Sequence, residues 1–308
     1  MNKLDARHIP VLLDDVLRVL APKPGHTIVD CTLGLGGHSA ALLDAIKPDG
    51  RLIATDLDRE NITDARIVLQ RVVGREGKAK FDLVHRNFCK IDNVLQELGV
   101  DKVDALLADI GVASTQIDDP SRGFSYRKDG PLDMRMDPNV GTPASELVNT
   151  MSQRELGEAL AELGDETDGT KIAKLIVKRR AVAPIMTTHE LMAIVCEARD
   201  FTIQRANGAK LHPAARTFQA LRIMVNHELS NLEGLLECLP KILRPGGVAA
   251  IISFHSGEDR IVKHAFRDGL RSGIYQAVAM DPIIASEAEA KANPRARSAK
   301  LRWARLPA

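Results

Sequence analysis

The sequence predicts an α/β protein in which a doubly wound parallel sheet is interrupted by a mostly helical insertion. Three observations carry this expectation. Between His26 and Gly111 short apolar runs alternate with helical stretches, the pattern of a parallel sheet covered by helices on both faces. From about Ser114 to His212 that alternation stops and loops rich in Gly, Pro, Asp and Arg lead into helical segments. Strand signal then returns at Gly247–Phe254, just after the turn Arg244-Pro245-Gly246.

Each element has its own signal. Thr27–Cys31 reads as a first strand, followed by the turn Gly34-Leu35-Gly36-Gly37 and a helix from about His38 to Ile46. Arg51–Asp56 is a second strand ending in an acid, and an Ala-, Ile- and Leu-rich helix spans about Arg59 to Val73. Phe81–His85 and Val103–Asp109 supply strands three and four. In the insertion, Glu155–Leu163 and Lys171–Arg180 carry apolar residues at helical spacing. A long helical pattern runs from about Ala214 to Leu243, a further helix lies near Glu258–Asp268, and the tail SAKLRWARL could close the sheet. The expected domains are 1–113 with 213–308, and the insertion 114–212.

Composition narrows the class. The chain has 308 residues, 44% hydrophobic and 27% charged, which is enough for two domains and a sizeable core. No apolar segment approaches the roughly 18 residues of a membrane span, and the stretch from Met1 to Leu20 does not read as a signal peptide. Cys31, Cys89, Cys196 and Cys238 lie far apart with no zinc spacing, so free thiols, no metal and a cytoplasmic location are expected. The net charge of +1 hides basic stretches. One holds Lys171, Lys174, Lys178, Arg179, Arg180, Arg199, Arg205, Lys210, Arg216 and Arg222; the tail holds Lys291, Arg295, Arg297, Lys300, Arg302 and Arg305. Such stretches suit a polyanionic partner, or equally a solvated helix face and tail. No feature of the sequence fixes an oligomeric state.

The run Asp30-Cys31-Thr32-Leu33-Gly34-Leu35-Gly36-Gly37-His38-Ser39 joins a strand to a helix through glycines that let backbone approach a ligand. Asp56 follows Gly36 by about 20 residues, the place for a carboxylate that accepts from ribose hydroxyls. The turn lacks the third glycine of a dinucleotide fingerprint, and the fourth strand also ends in an acid, Asp109. Acids along the crevice would repel a pyrophosphate and suit the positive sulfonium of S-adenosylmethionine (SAM).

At this point a family resemblance is evident. The blocks HIPVLLDDVL, TLGLGGHS, DIGVASTQIDDPSRGFSYRKDGPLDMRMD, HPAARTFQALRIMVNHEL, IISFHSGEDRIVK and NPRARSAKLR, from His8 to about Arg302, resemble the bacterial 16S ribosomal RNA (cytosine-N4) methyltransferases. The resemblance implies a Rossmann-like class I SAM-dependent methyltransferase sheet with an inserted, mostly helical second domain. It implies SAM contacts from Gly36, Gly37 and His38, ribose contact from Asp56, an adenine-flanking Phe88, and further cofactor contacts from Asp109 and Gln116. The chain departs from the family's usual pattern at Leu35, Thr115 and Gly257, in the block Leu163-Gly164-Asp165-Glu166, and in a short segment between Phe266 and Pro282.

The implied reaction moves a methyl group from SAM to the exocyclic N4 of a cytidine in ribosomal RNA, with the assembled small subunit the expected partner. That nitrogen is a poor nucleophile because its lone pair is conjugated into the ring, so alignment and acceptors for its hydrogens matter most. Asp109 is the expected acceptor and catalytic residue; a purely cofactor-binding role stays equally open. A cytidine in folded RNA must be unstacked to reach the pocket. Ser253 and His255, with Ser256, end the late strand and could touch the base, or His255 could be a structural hydrogen-bonder. Arg122 and Arg127 alternate with Phe124 and Tyr126, a pattern suited to RNA contact. Arg135 lies among Asp133 and Asp137, which suits an internal network as well as substrate. Arg216, Gln219 and Arg222 share a helix face and would bind RNA or lock the domains together. A SAM-binding ribosome-assembly factor without catalysis, or an enzyme acting on another RNA, is the alternative.

Overall fold

The computed structural model describes residues 9–74, 79–209 and 211–308; His8 and Lys210, named above, lie outside them. The chain forms two compact units, one of residues 1–111 with 229–308 and one of residues 112–228.

The first unit is built on eight strands: β1 (Thr27–Asp30), β2 (Arg51–Asp56), β3 (Lys80–His85), β4 (Val103–Asp109), β5 (Leu243–Ser253), β6 (Ala277–Val278), β7 (Ile283–Ile284) and β8 (Lys300–Arg305). They lie in the order β3-β2-β1-β4-β5-β8-β6, with β7 also paired to β8. The five strands from β3 to β5 are parallel, and β8 runs antiparallel to β5. This is a Rossmann-like, doubly wound sheet.

Successive strand residues alternate between two cores, as the period of two demands. Ile28, Leu52, Ala105 and Leu107 join Leu42, Leu43 and Leu69 on one face. Val29, Ile53, Leu106 and Ala108 join Leu95, Leu232, Leu239 and Phe266 on the other. Being buried on both faces explains why these strands read as continuous apolar runs. The winding reverses between β1 and β4, so a crevice opens at their carboxyl ends, the usual ligand position in such sheets. Among the described residues no helix is long and apolar enough to cross a membrane.

The second unit packs helices Ala144–Thr150, Gln153–Gly164, Gly169–Arg180, Thr188–Ala198 and Ala215–Asn226 around Leu156, Leu160, Ile172, Ile176, Leu191, Phe218 and Leu221. Ser152 with Glu155, and Thr187 with Glu190, form capping boxes that start two of these helices.

Two sequence expectations are corrected here. The long helix expected from Ala214 to Leu243 is broken at His227, whose φ of 52° ends helix Ala215–Asn226 in the left-handed region. Accordingly the insertion extends past residue 212 to Glu228. Helix Ala215–Asn226 packs so closely on Gln153–Gly164 that a Cβ on Gly164 would lie 2.5 Å from the Arg216 carbonyl oxygen.

The tail does supply the closing strand β8, and this overturns part of its expected basic role. Arg302 is 4% exposed; its Nε donates to Asp259 Oδ1 at 2.6 Å, and Lys300 Nζ reaches the same carboxylate at 3.4 Å. These two bases are engaged inside the fold. Arg302→Ala should therefore lower unfolding stability by about 3 kcal/mol, because Asp259 is left half-paired in a partly buried place. Urea denaturation checks this; unchanged stability would return Arg302 to the pool of polyanion-binding residues.

Candidate functional site

Three carboxylates gather where β1, β2 and β4 end. Asp30, fully buried, accepts from Ser39 Oγ at 2.6 Å and from the Thr32 N–H at 3.1 Å. It thereby ties the glycine turn to the first turn of helix Gly37–Ala45. Asp56 accepts the Gly34 N–H at 2.8 Å on one oxygen and the Asp58 N–H at 2.7 Å on the other. Burial pushes its pKa up to about 6 against the pull of those two donors. Asn61 Nδ2 also reaches the two oxygens, at 3.4 and 3.3 Å, so three protein donors share a carboxylate with about four lone-pair sites and leave room for one more.

Asp109 sits at the end of β4, with its N–H donated to Thr32 Oγ1 at 2.7 Å. Its Oδ2 lies 3.6 Å from His38 Nδ1, while its Oδ1 is buried with no hydrogen-bond partner among the described residues. Burial raises this carboxyl to about 6; His38 opposes the rise, and the Asp30 and Glu258 charges add to it. The buried His38 is held from its other side, where Nε2–H donates to the Val11 carbonyl at 2.9 Å.

The glycines divide the work. Gly34 (φ 49°) carries the N–H held by Asp56, and a Cβ there would meet only its own turn. Gly36 (φ 81°) and Gly37 are needed for close packing: a Cβ on the first would lie 3.1 Å from Ala65 Cβ, on the second 2.6 Å from Pro10 Cγ. Phe88 opens a short 3₁₀ turn after β3, half-buried against the core face of Val29 and Ile53. Thus Gly36, Gly37, His38, Asp56, Phe88 and Asp109 are all carried on segments that leave the carboxyl ends of the sheet.

At the end of β5, Ser253 Oγ lies 3.4 Å from the Lys300 carbonyl of β8. His255 caps helix Ser256–Arg271, its Nδ1 accepting the Glu258 N–H. Sequence reasoning missed Asp30, Thr32 and Glu258. Asp30 had a signal, an acid in the last position of a strand before a glycine turn.

In the inserted unit, Gln116 is buried and its Oε1 accepts the Ala113 N–H at 3.1 Å, starting helix Ser114–Asp118. Arg122 donates to the carbonyls of Arg135 and Met136 at 3.2 and 2.7 Å. Arg135 forms a two-point pair with Asp133, at 2.8 and 2.7 Å. Burial tends to raise the Asp133 carboxyl, but hydrogen bonds and charge from Arg135 hold it below the usual range. The internal-network reading of this loop is what the geometry supports.

Tyr126 stacks on His212 with centroids 4.4 Å apart and meets Phe218 edge-on, so its ring is engaged within the unit. Arg127 is exposed. Arg216 Nη1 donates to the Asp165 carbonyl at 2.9 Å, and Arg222 makes a two-point pair with Glu228 at 2.8 Å. Several other bases are paired too: Lys171 with Asp200, Arg179 with Glu197, and Arg199 with Asp168. Lys174 and Lys178 are exposed, one turn apart on helix Gly169–Arg180, and enter no ion pair among the described residues.

A sequence model of the MraW methylase family matches residues 5–306. A protein from Acidobacterium capsulatum named Ribosomal RNA small subunit methyltransferase H is 44% identical over 300 residues, covering 97% of this chain and 98% of its own. One of the same name from Citrifermentans bemidjiense is 46% identical over 314 residues, again covering 97% and 98%.

Proposed function

Since the chain belongs to the MraW methylase family, we propose that it transfers a methyl group from SAM to the exocyclic N4 of a cytidine in small-subunit ribosomal RNA. The observation that carries the site assignment is the Asp109 carboxylate, whose buried Oδ1 has no partner within the protein's described residues. A buried acceptor left unpaired costs about 1–3 kcal/mol, so its retention points to a ligand that donates to it. SAM fits the surrounding residues, since carboxylates at the crevice favour its positive charge and Asp56 keeps acceptor capacity for ribose hydroxyls. When bound, it supplies a methyl carbon made electrophilic by the sulfonium.

The chain's own residues then do the following. Asp56 accepts the ribose hydroxyls, and Phe88 offers an apolar face to the adenine. Gly34, held by Asp56, sets the backbone against which the cofactor lies. Asp109 Oδ1 accepts an N4 hydrogen, which favours the pyramidal amine with its lone pair free to attack. As the N–CH₃ bond forms and the S–CH₃ bond breaks, positive charge develops on N4 beside this carboxylate. The N4 proton departs to Asp109 or to solvent, leaving a neutral methylamine. A carboxyl near pKa 6 is ionised at neutral pH and still basic enough to take that proton.

The inserted unit is assigned to RNA recognition. The exposed Arg127, Lys174 and Lys178 support this, because bases without internal partners can neutralise phosphates. Arg122, which donates to the Arg135 and Met136 carbonyls, and Arg135, which pairs with Asp133, shape that surface. An assembled subunit is the preferred substrate, since a shaped target can present a cytidine that naked RNA keeps stacked. A ribosomal RNA substrate implies a cytoplasmic enzyme, and four unpaired cysteines suit that compartment.

The test is transfer of labelled methyl from SAM to small subunits lacking their own cytosine-N4 methylation, with the product nucleoside identified by mass spectrometry. N4-methylcytidine on the subunit but not on naked RNA is expected. SAM binding without transfer to any ribosomal substrate would favour a non-catalytic assembly factor instead.

A further inference from the structure

Beyond Asp109, two side chains at the end of β5 use only half of their polar atoms. His255 Nδ1 accepts the Glu258 N–H at 3.4 Å, and Glu258 Oε2 accepts the N–H groups of Phe254 at 2.8 Å and His255 at 3.3 Å. This reciprocal capping starts helix Ser256–Arg271. The far atoms, His255 Nε2 and Glu258 Oε1, are buried 3.1 Å apart, within ion-pair range of each other but without the alignment a hydrogen bond requires, and neither has a hydrogen-bond partner among the described residues. The Glu258 side chain is 1% exposed and that of His255 is 9%.

Because Nδ1 acts as acceptor, the proton of the neutral ring sits on Nε2. The unused pair is therefore one donor beside one acceptor. Asp109 Oδ1 is a third buried atom without a partner, and Asp109 pairs in register with Ile252 of the neighbouring β5. The Glu258 charge is close enough to help raise the Asp109 carboxyl. Three buried polar atoms without hydrogen-bond partners thus lie on β4 and on the segment that follows its neighbour β5, an arrangement that costs the fold unless a ligand meets them.

We propose that His255 and Glu258 read the edge of the target base, with Nε2–H donating to the cytosine ring N3 and Oε1 accepting one hydrogen of the N4 amine. This rests on the cytidine-N4 reaction proposed above. Cytosine presents an amine donor next to a ring acceptor, the complement of this pair. Uracil presents a carbonyl acceptor next to an N–H donor, so both contacts are reversed and both protein groups stay unpaired. The second N4 hydrogen faces Asp109, and two acceptors on one amine hold its lone pair out of conjugation. Glu258 and His255 thus add base specificity to the capping role that Ser or Asn would fill equally well.

Subunits reconstituted with 3-deazacytidine at the modified position keep the amine and lose the N3 acceptor. In single turnovers at saturating SAM, the wild-type enzyme should methylate cytidine and slow about 30-fold on the 3-deaza subunit, the scale of one lost hydrogen bond at a polar site. His255→Ser keeps a capping oxygen; it should be about 30-fold slow on cytidine and no slower on 3-deazacytidine. Glu258→Gln keeps an oxygen for the Phe254 N–H but places a donor toward the base, and should lose about 100-fold or more. Both variants should bind SAM within about threefold of wild type. A His255→Ser enzyme that responds to the 3-deaza change as strongly as wild type overturns the proposal, as does near-normal turnover by Glu258→Gln. Loss of SAM binding in both variants would assign the pair to structure and also sink it. Wild-type enzyme that methylates no cytidine is a distinct result, which removes the reaction itself before any variant is compared.

Discussion

Asp109→Asn should reduce methyl transfer by about 10²–10³-fold, the scale on which a group aimed at developing charge contributes, while SAM affinity changes by less than about threefold. The substitution is nearly isosteric and keeps the backbone N–H that bonds Thr32 Oγ1 at 2.7 Å, so the turn is preserved. What it removes is negative charge beside the nitrogen that becomes positive in the transition state. Turnover and SAM affinity falling together would instead make Asp109 a cofactor ligand only. The same carboxyl predicts a pH dependence. Its folded pKa of about 6 lies above the usual carboxylate value, so transfer should decline with a single protonation as pH falls through 6. For stability the sign is opposite to that of a salt-bridged acid. The raised pKa means that protonation favours the folded state; this contribution is complete below about pH 4 and lost as pH rises through 6. At pH 7.5 the ligand-free enzyme therefore carries a buried charge that Asp109→Asn relieves, raising unfolding free energy by up to about 3 kcal/mol. That gain should vanish toward pH 4. A variant less stable than wild type at pH 7.5 would contradict this account of the site.

The parts of the fold legible from sequence were those whose signal is local. Strands Arg51–Asp56 and Val103–Asp109 and helix Arg59–Val73 have the bounds their patterns predict. In each strand an apolar run ends in an acid. The helix is preceded by Asp58, whose side chain accepts the Glu60 N–H, and followed by Gly74. Helix Leu13–Leu20 gave no such signal, because its flanking residues Leu12 and Ala21 take left-handed conformations without being Gly or Asn. The break at His227 is of the same kind.

Charge was least legible, because the partner that decides a base's role is remote. Lys171 meets Asp200 across 29 residues and Arg302 meets Asp259 across 43, distances at which composition alone cannot separate a paired base from a phosphate contact. The glycine turn, Asp56 and Asp109 stood out by pattern and spacing, and His38, Phe88 and Gln116 through family resemblance, yet the groups that hold them in place did not. Asp30 reaches Ser39 only nine residues away, but its role depends on the Gly34–Gly37 turn folding back toward its strand. Gly36 and Gly37 likewise stand out in the motif for ligand approach, whereas their missing Cβ atoms make room for Ala65 and Pro10. Ligand approach and internal packing require the same residue, so the motif by itself cannot tell them apart.

Asp56→Ala should weaken SAM binding by about 10²–10³-fold in titration calorimetry, the largest affinity effect expected of any single residue here. Two contributions combine. The carboxylate accepts from the ribose hydroxyls, and hydrogen bonds to a charged acceptor are each worth about 1.5–3 kcal/mol. It also holds the Gly34 and Asp58 N–H groups at 2.8 and 2.7 Å, so its loss frees both the glycine turn and the start of helix Arg59–Val73. Asp56→Asn separates these contributions. An Asn oxygen can still serve one N–H, so the turn is partly kept, while the amide opposes a hydroxyl donor where the carboxylate accepted. A SAM analogue lacking the ribose hydroxyls should bind wild type far more weakly than SAM, and Asp56→Asn almost as weakly whether or not the hydroxyls are present. If the variant still prefers the intact ribose by the wild-type margin, Asp56 organises the turn alone and another group holds the sugar. Because burial already raises this carboxyl to about 6, wild-type affinity for SAM should also fall below pH 6, and Asp56→Asn should show that decline only to the extent that Asp109 contributes to binding.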